Sequence, residues 1–222
     1  MSRLPLFPLG MVLFPGLVLP LNVFEERYRA LIRDLLALPE QDRRFGVVAI
    51  REGREVGADG VTALHEVGCA ARLRQAEAQT DGRWEITTVG DEPFRLDAVY
   101  FDRPYLTADV TWLPDAAGDA REGSVLAGAV QSAFGDYLTA VAQAGAGQVR
   151  APELPGEPLL LSHLVGATML LDLWQRQELL EQPDAVARLR AEVRLLRRET
   201  VFLKILRAIP SPELTRTPAS PH

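Results

Sequence analysis

The side chains able to do chemistry are few and scattered. Beyond carboxylates, hydroxyls and arginines, the 222 residues hold one cysteine, Cys69, three histidines, His65, His163 and His222, and one lysine, Lys204. A thiolate beside an imidazole makes a nucleophile, but nothing in the sequence around Cys69 activates it. It follows Gly68 in a run of small residues, so a packed thiol is the stronger reading. Ser162, His163 and Lys204 are the remaining elements from which a hydrolase site would be built. Ser211, the serine nearest to Lys204 in sequence, stands in a Pro-rich tail, and spacing alone brings neither Ser162 nor Ser124 to the lysine. Zinc takes three or four N, O or S side chains. His65 and His163 have no H-x-x-x-H spacing and His222 is in the tail, so no metal is expected. His163 reads as a helix residue with a satisfied ring nitrogen. The acidic pairs Glu25-Glu26, Asp91-Glu92 and Asp115/Asp119 fall at a helix start, a turn and a linker, where solvation or capping accounts for them without glycosidase-type chemistry.

Composition narrows the function classes. Apolar residues make up 47% and the formal net charge is −6, which fits a globular domain and disfavours a general nucleic-acid binder. One cysteine excludes an internal disulfide and a cysteine-built zinc site, and it fits a reducing cytoplasm. Prolines break the apolar opening and only Arg3 is basic before it, so a secretory signal is not expected. The run Pro158–Trp174 is interrupted by Ser162, His163, Thr168 and Asp172, so a core helix is a better reading than a membrane span.

The elements that must position any site divide the chain at its middle. Pro5, Pro8, Pro15 and Pro20 exclude a regular helix from the opening, leaving short extended pieces joined by turns. Helical spacing begins at once after it. Phe24, Tyr28, Leu31, Ile32 and Leu35 share one face of a helix expected over Val23–Leu38, with Asn22 as N-cap and Glu25 completing a capping box. Phe45–Ile50 reads as a buried strand. Asp81-Gly82 predicts a type I′ hairpin between Cys69–Thr80 and Arg83–Val89. Phe94–Tyr100 and Tyr105–Trp112 add further strands. Several short strands with one embedded helix give a small, partly closed barrel.

Pro114–Asp119 reads as a linker, and the rest as helical. Leu126, Val130, Phe134, Tyr137 and Val141 form one apolar face. Ala144–Gly156 reads as a loop, followed by a helix within Leu159–Leu171 and a short one near Trp174–Glu181. Pro183 suits the first turn of a long last helix, whose stripe is Val186, Leu189, Val193, Leu196, Thr200 and Leu203. The fold class is therefore α+β. The expected units are a strand-rich lobe over 1–113, a linker over 114–123, a helical subdomain over 124–208 and a disordered tail over 209–222.

The opening has a specific look. Leu-Pro-Leu-Phe-Pro-Leu at Leu4–Leu9, Leu-Phe-Pro-Gly at Leu13–Gly16 and Leu-Pro-Leu-Asn-Val-Phe-Glu-Glu-Arg-Tyr at Leu19–Tyr28 resemble the N-terminal, substrate-binding domain of Lon proteases. Val67–Ala71 and Gln177–Glu181 add weaker support, and the likeness spans nearly the whole chain. It implies a PUA-like, partly closed barrel packed against a helical bundle, and recognition of unfolded segments or degradation tags. A Lon protease also has an ATPase with a G-x-x-x-x-G-K-[ST] loop and a Ser–Lys dyad. The sequence shows neither, so the expectation is a free-standing, non-enzymatic recognition module that needs no cofactor, with a protease or chaperone as a candidate partner. An RNA-binding PUA-like barrel and a hydrolase with a hidden site are the alternatives. No membrane partner is expected.

Two surfaces are candidates for binding. The resemblance places the strand–turn–helix region of Phe14, Pro15, Phe24, Glu26 and Arg27 among substrate contacts. A Phe-Pro-Gly turn at a barrel edge would expose Phe14 and Pro15 to apolar peptide, while Phe24 is the one most readily read as plain core. The last helix is the second candidate, with seven basic side chains between Arg188 and Arg207 against Glu192 and Glu199. Its bland reading, an apolar stripe inside its own bundle with solvated arginines, is the preferred one.

Overall fold

The computed structural model describes residues 2–53, 61–146 and 152–208. The expected tail and part of the 144–156 loop lie outside the described residues. Among the described residues there are six strands, β1 (Ser2–Leu9), β2 (Val18–Val23), β3 (Arg44–Gly53), β4 (Val61–Ala78), β5 (Trp84–Tyr100) and β6 (Thr107–Trp112). The helix α1 (Glu26–Leu36) lies between β2 and β3 in the chain, and α2 (Ala120–Val141), α3 (Pro158–Thr168), α4 (Leu173–Leu180) and α5 (Ala185–Ala208) follow the strands. The α+β architecture expected from the sequence is the one observed.

The sheet order is β2-β5-β4-β3-β1-β6, and an additional β5–β6 pairing closes β5, β4, β3, β1 and β6 into a ring. Two long strands make this closure possible. The segments read as separate strands at Arg83–Val89 and Phe94–Tyr100 are one strand, whose first part pairs with β2 and β4 and whose last part pairs with β6. β1 behaves similarly, pairing with β6 through Ser2–Pro5 and in parallel with β3 through Leu6–Leu9. A hairpin forms at Asp81-Gly82, but not through the expected type I′ turn, which needs positive φ at both central residues: Gly82 has it at φ 82° and Asp81 does not. Gln79 N–H donates to the Arg83 carbonyl at 2.8 Å across a loop of Thr80–Gly82, within which Gly82 N–H donates to the Gln79 carbonyl at 2.9 Å.

Asn22 does not cap α1. Six register pairs to β5 hold the chain extended through Val23, and the helix starts only at Glu26, with Glu25 at the N-cap and no side-chain cap bond. Tyr28, Leu31, Ile32 and Leu35 are buried as the periodicity requires, in a barrel core with Phe7, Phe45 and Ile86. Pro183 precedes α5 rather than starting it, and Asp184 Oδ1 accepts from the Ala187 N–H at 2.7 Å. Val186, Leu189, Val193, Leu196 and Thr200 are buried, in agreement with a stripe facing its own bundle. Arg188 departs from that reading, because it is 2% exposed rather than solvated.

The linker is fastened, not loose. Ala185 donates to the Ala116 carbonyl at 2.9 Å, and Asp115 reaches His163 Nε2 at 2.8 Å. The two lobes meet around Phe14, which shares an apolar cluster with Ala49 of β3, Leu179 and Leu180 of α4 and Ala191 of α5.

Candidate functional site

The five residues expected at a binding edge separate into two groups. Phe14 is 1% exposed and Pro15 is buried, so the expected exposed aromatic turn is not there. Gly90 explains why. A Cβ at that position would stand 2.1 Å from the Phe14 carbonyl oxygen, so the turn is drawn against β5, with Gly16 N–H donating to the Gly90 carbonyl at 2.9 Å. The Phe14 ring then points into the helical lobe, with its centroid 6.3 Å from that of His163. Phe24, read as the most core-like of the set, is instead 54% exposed. It lies between the end of β2 and the start of α1, outside the helical face that buries its neighbours. Glu26 is exposed and pairs with Arg29 and Arg33. Arg27 Nε donates to Glu25 Oε2 at 3.1 Å, with the guanidinium 4.5 Å from the Tyr28 ring centre.

Arg27 and Tyr28 border a groove of about 370 Å³ in the barrel wall. Its origin is topological. β4 pairs with β5 only from Val67 onward, opposite Arg95, and β5 beyond Arg95 follows β6 instead. The facing edges of Ala63–Glu66 and Leu96–Tyr100 therefore part. Bulges bend both strands at the split. Three residues of β4, His65–Val67, stand against Ala49 alone on β3, and a register shift separates Leu96 from Ala98 on β5. Extra residues of this kind turn a strand out of its ladder. The β4 bulge is held from the helical lobe, where Gln177 Nε2 of α4 donates to the Val67 carbonyl at 2.9 Å.

The groove is apolar inside and charged at its margin. Leu64, Leu96, Val99 and Leu106 line it while packing on the small core of Leu4, Leu6 and Phe94. Phe101 stands at it 82% exposed. Arg103, also lining it, donates to Tyr105 Oη at 3.1 Å and reaches Asp34 at 3.3 Å. Burial, then the bond to Asp34, raises the Tyr105 hydroxyl above its ordinary value, so it remains protonated. His65 lines the groove with its ring centroid 5.8 Å from that of Trp174, and burial lowers its pKa, which favours neutral imidazole. Hydrophobic walls with a few polar groups are the usual form of a ligand site. Sequence reading missed this groove except for Arg27. Its walls come from strand halves separated by some thirty residues, and the Asp81-Gly82 hairpin was the only available sign that β4 and β5 are neighbours.

The catalytic candidates are engaged elsewhere. The Ser162 hydroxyl donates to the Leu159 carbonyl at 2.8 Å and accepts from Arg188 Nη1 at 2.9 Å. His163 turns Nε2 to Asp115, not to Ser162. Arg188 also donates to the Leu179 carbonyl at 3.0 Å, and its Nη2 lies 3.9 Å from Asp115. Glu192 completes this buried cluster with no well-formed hydrogen bond to either carboxyl oxygen. Burial raises its pKa well above the ordinary 4.5, against the pull of Arg188, which favours the neutral carboxyl. Burial likewise pushes the Cys69 thiol up, which leaves it a packed, unreactive group. Among the described residues no group of three or more His, Cys, Asp or Glu side chains is placed to hold a metal, and no helix is long and apolar enough to cross a membrane.

Comparison with known proteins agrees with this architecture. Residues 3–198 match the family of the ATP-dependent protease La (LON) substrate-binding domain. The Lon protease of Cytophaga hutchinsonii is 27% identical over 219 residues, covering 94% of this chain and 26% of that protein. The Lon protease of Escherichia coli (strain K12) is 27% identical over 208 residues, covering 93% and 26%. The chain thus spans about a quarter of the length of these relatives. The crystal structure of a Lon N-terminal domain protein from Xanthomonas campestris superposes with a TM-score of 0.64 at 24% identity, covering 89% of this chain and 98% of that one. The N-terminal domain of a Mycobacterium avium complex Lon protease gives 0.61 at 18% identity, covering 88% and 98%. With a family match over nearly its whole length, this chain belongs to the LON substrate-binding domain family.

Proposed function

We propose that this chain is a non-catalytic recognition module for unfolded or tagged polypeptide segments, acting as an adaptor beside a protease or chaperone in protein quality control. The groove between β4 and β5 carries the reading. It offers an apolar floor, an exposed aromatic at Phe101 and guanidinium groups at Arg27 and Arg103. Such a surface accepts apolar side chains of an unfolded chain and discriminates little among them. The engagement of Ser162, His163 and Arg188 with one another and with Asp115 supports a structural rather than a catalytic role for that cluster. Of the residues expected from the sequence, Arg27 borders the groove, Phe24 and Glu26 are exposed nearby in the chain, and Phe14 and Pro15 belong to the lobe junction.

The test is fluorescence anisotropy against an array of unstructured peptides. Selective binding of apolar or aromatic peptides is expected, weakened by Phe101→Ser and Arg27→Glu with the circular dichroism spectrum unchanged. Equal binding by native protein and both variants would place recognition elsewhere.

A further inference from the structure

The groove has a second property besides its apolar lining. A strand has two hydrogen-bonding edges, and successive residues direct their N–H and C=O alternately to one and the other. Along Ala63–Glu66 one edge of β4 faces β3, with Leu64 opposite Ile50 and Ala63 opposite Glu52. The other edge faces the split, and among the described residues no ladder pairs it, because β5 has left to follow β6. Backbone groups along such an edge are a template for another strand. The opposite wall, Leu96–Tyr100, is already paired to β6 on its far side. The opening is therefore a missing strand position between two strands of one ring, floored by Leu64 and Val99.

We propose that the ligand enters this split as a β-strand, adding main-chain hydrogen bonds to the free edge of Ala63–Glu66. This rests on the reading of the chain as a polypeptide binder and specifies its mode. The occupant is an extended segment of another polypeptide with apolar side chains at alternate positions, which drop onto Leu64, Leu96 and Val99. The intervening side chains point to solvent, as the period-two alternation of a strand requires. The guanidinium groups that border the split are each already paired, Arg27 with Glu25 at 3.0 Å and Arg103 with Asp34 at 3.3 Å, so the margin is charge-balanced and the apolar positions with the strand edge set the selection. Main-chain bonds are independent of side-chain identity, so this mode supplies affinity for many sequences, while the pockets for alternate side chains supply the selection.

The probe is a short unstructured peptide in which apolar and polar residues alternate, studied with the full chain. Each peptide amide in turn is N-methylated, which removes one donor and leaves the side chain in place. Methylation at every second position is expected to weaken binding about tenfold, the loss of a single main-chain hydrogen bond, while the intervening positions tolerate it. Hydrogen exchange gives an independent reading, with alternate amides of Ala63–Glu66 slowed when the peptide is bound. Binding that is indifferent to methylation at every position, or tighter binding by a peptide of helical periodicity and equal composition, overturns strand addition and leaves peptide recognition standing. Absence of binding by any peptide overturns both. Slowed exchange in concentrated protein without peptide, accompanied by self-association, assigns the split to a second copy and also overturns the proposal.

Discussion

Arg188 and Arg103 show how one residue type serves two regions in opposite ways. At the lobe junction the Arg188 guanidinium is 2% exposed and is consumed by Ser162, the Leu179 carbonyl and Asp115. At the barrel split Arg103 stays open to solvent with side-chain exposure of 56%, beside an apolar hollow with no such closure. Phenylalanines divide in the same way. Phe14 is sealed between the lobes, whereas Phe101 stands out at the groove. The junction spends its polar and aromatic groups on holding two lobes in one arrangement. At the split Phe101 and Arg103 remain exposed to solvent. Chemical type alone did not separate these roles; burial did.

Replacing the sealed members of each kind is expected to have the largest effects. Phe14→Ala empties a site packed by both lobes and should cost about 3–5 kcal/mol, the usual range for a buried phenylalanine, read from the urea midpoint. Arg188→Met should cost about 3 kcal/mol, because the Leu179 carbonyl and Ser162 hydroxyl lose a buried charged donor and Asp115 loses a nearby positive charge. If either variant unfolds with the native midpoint, the junction is not the structural centre described here.

The buried acids and bases sharpen the comparison through pH. The Glu192 carboxyl has a folded pKa above its ordinary 4.5. As pH rises through that window the unfolded chain ionises first, so stability falls toward the folded pKa and then levels. In Glu192→Gln this decline should disappear, and the variant should gain on the native protein between acidic and neutral pH. His163 has the opposite sign. Its pKa is lowered from 6.5, chiefly by burial, so below 6.5 the unfolded chain takes up the proton first and stability is lost as pH falls. His163→Gln should flatten that loss. Paired urea titrations across the acidic range check both, and parallel native and variant curves would contradict the assignment.

At the split the effects on stability should be the smallest. Phe101→Ser is expected to shift the unfolding free energy by no more than about 0.5 kcal/mol, yet to weaken peptide binding about tenfold, as loss of an aromatic contact commonly does. A variant that unfolds early while binding normally would reverse the roles given to the two regions.

Much of the fold was legible in residue spacing. The buried faces of α1 and α5 followed from their apolar periodicity, and the Asp81-Gly82 turn announced the central hairpin. What spacing did not carry was competition between elements. Asn22 has the chemistry of an N-cap, but its strand pairing to Glu85 takes precedence. Phe14 sits in a turn that local reading exposes, yet Gly90 lets that turn lie flat on β5 and the helical lobe covers its ring. Of the binding candidates read from the sequence, Arg27 alone lines the groove, because the groove exists through two bulges and a change of strand partner. Neither leaves a local mark on composition.

Backbone amide chemical-shift mapping of the native chain, titrated with an apolar peptide that binds it, tests the division of roles most directly. The account predicts that resonances of Ala63–Glu66 and Leu96–Phe101 move with the binding curve while those around Ser162, Arg188 and Glu192 stay in place. Movement centred on the junction, with the split unaffected, would contradict it.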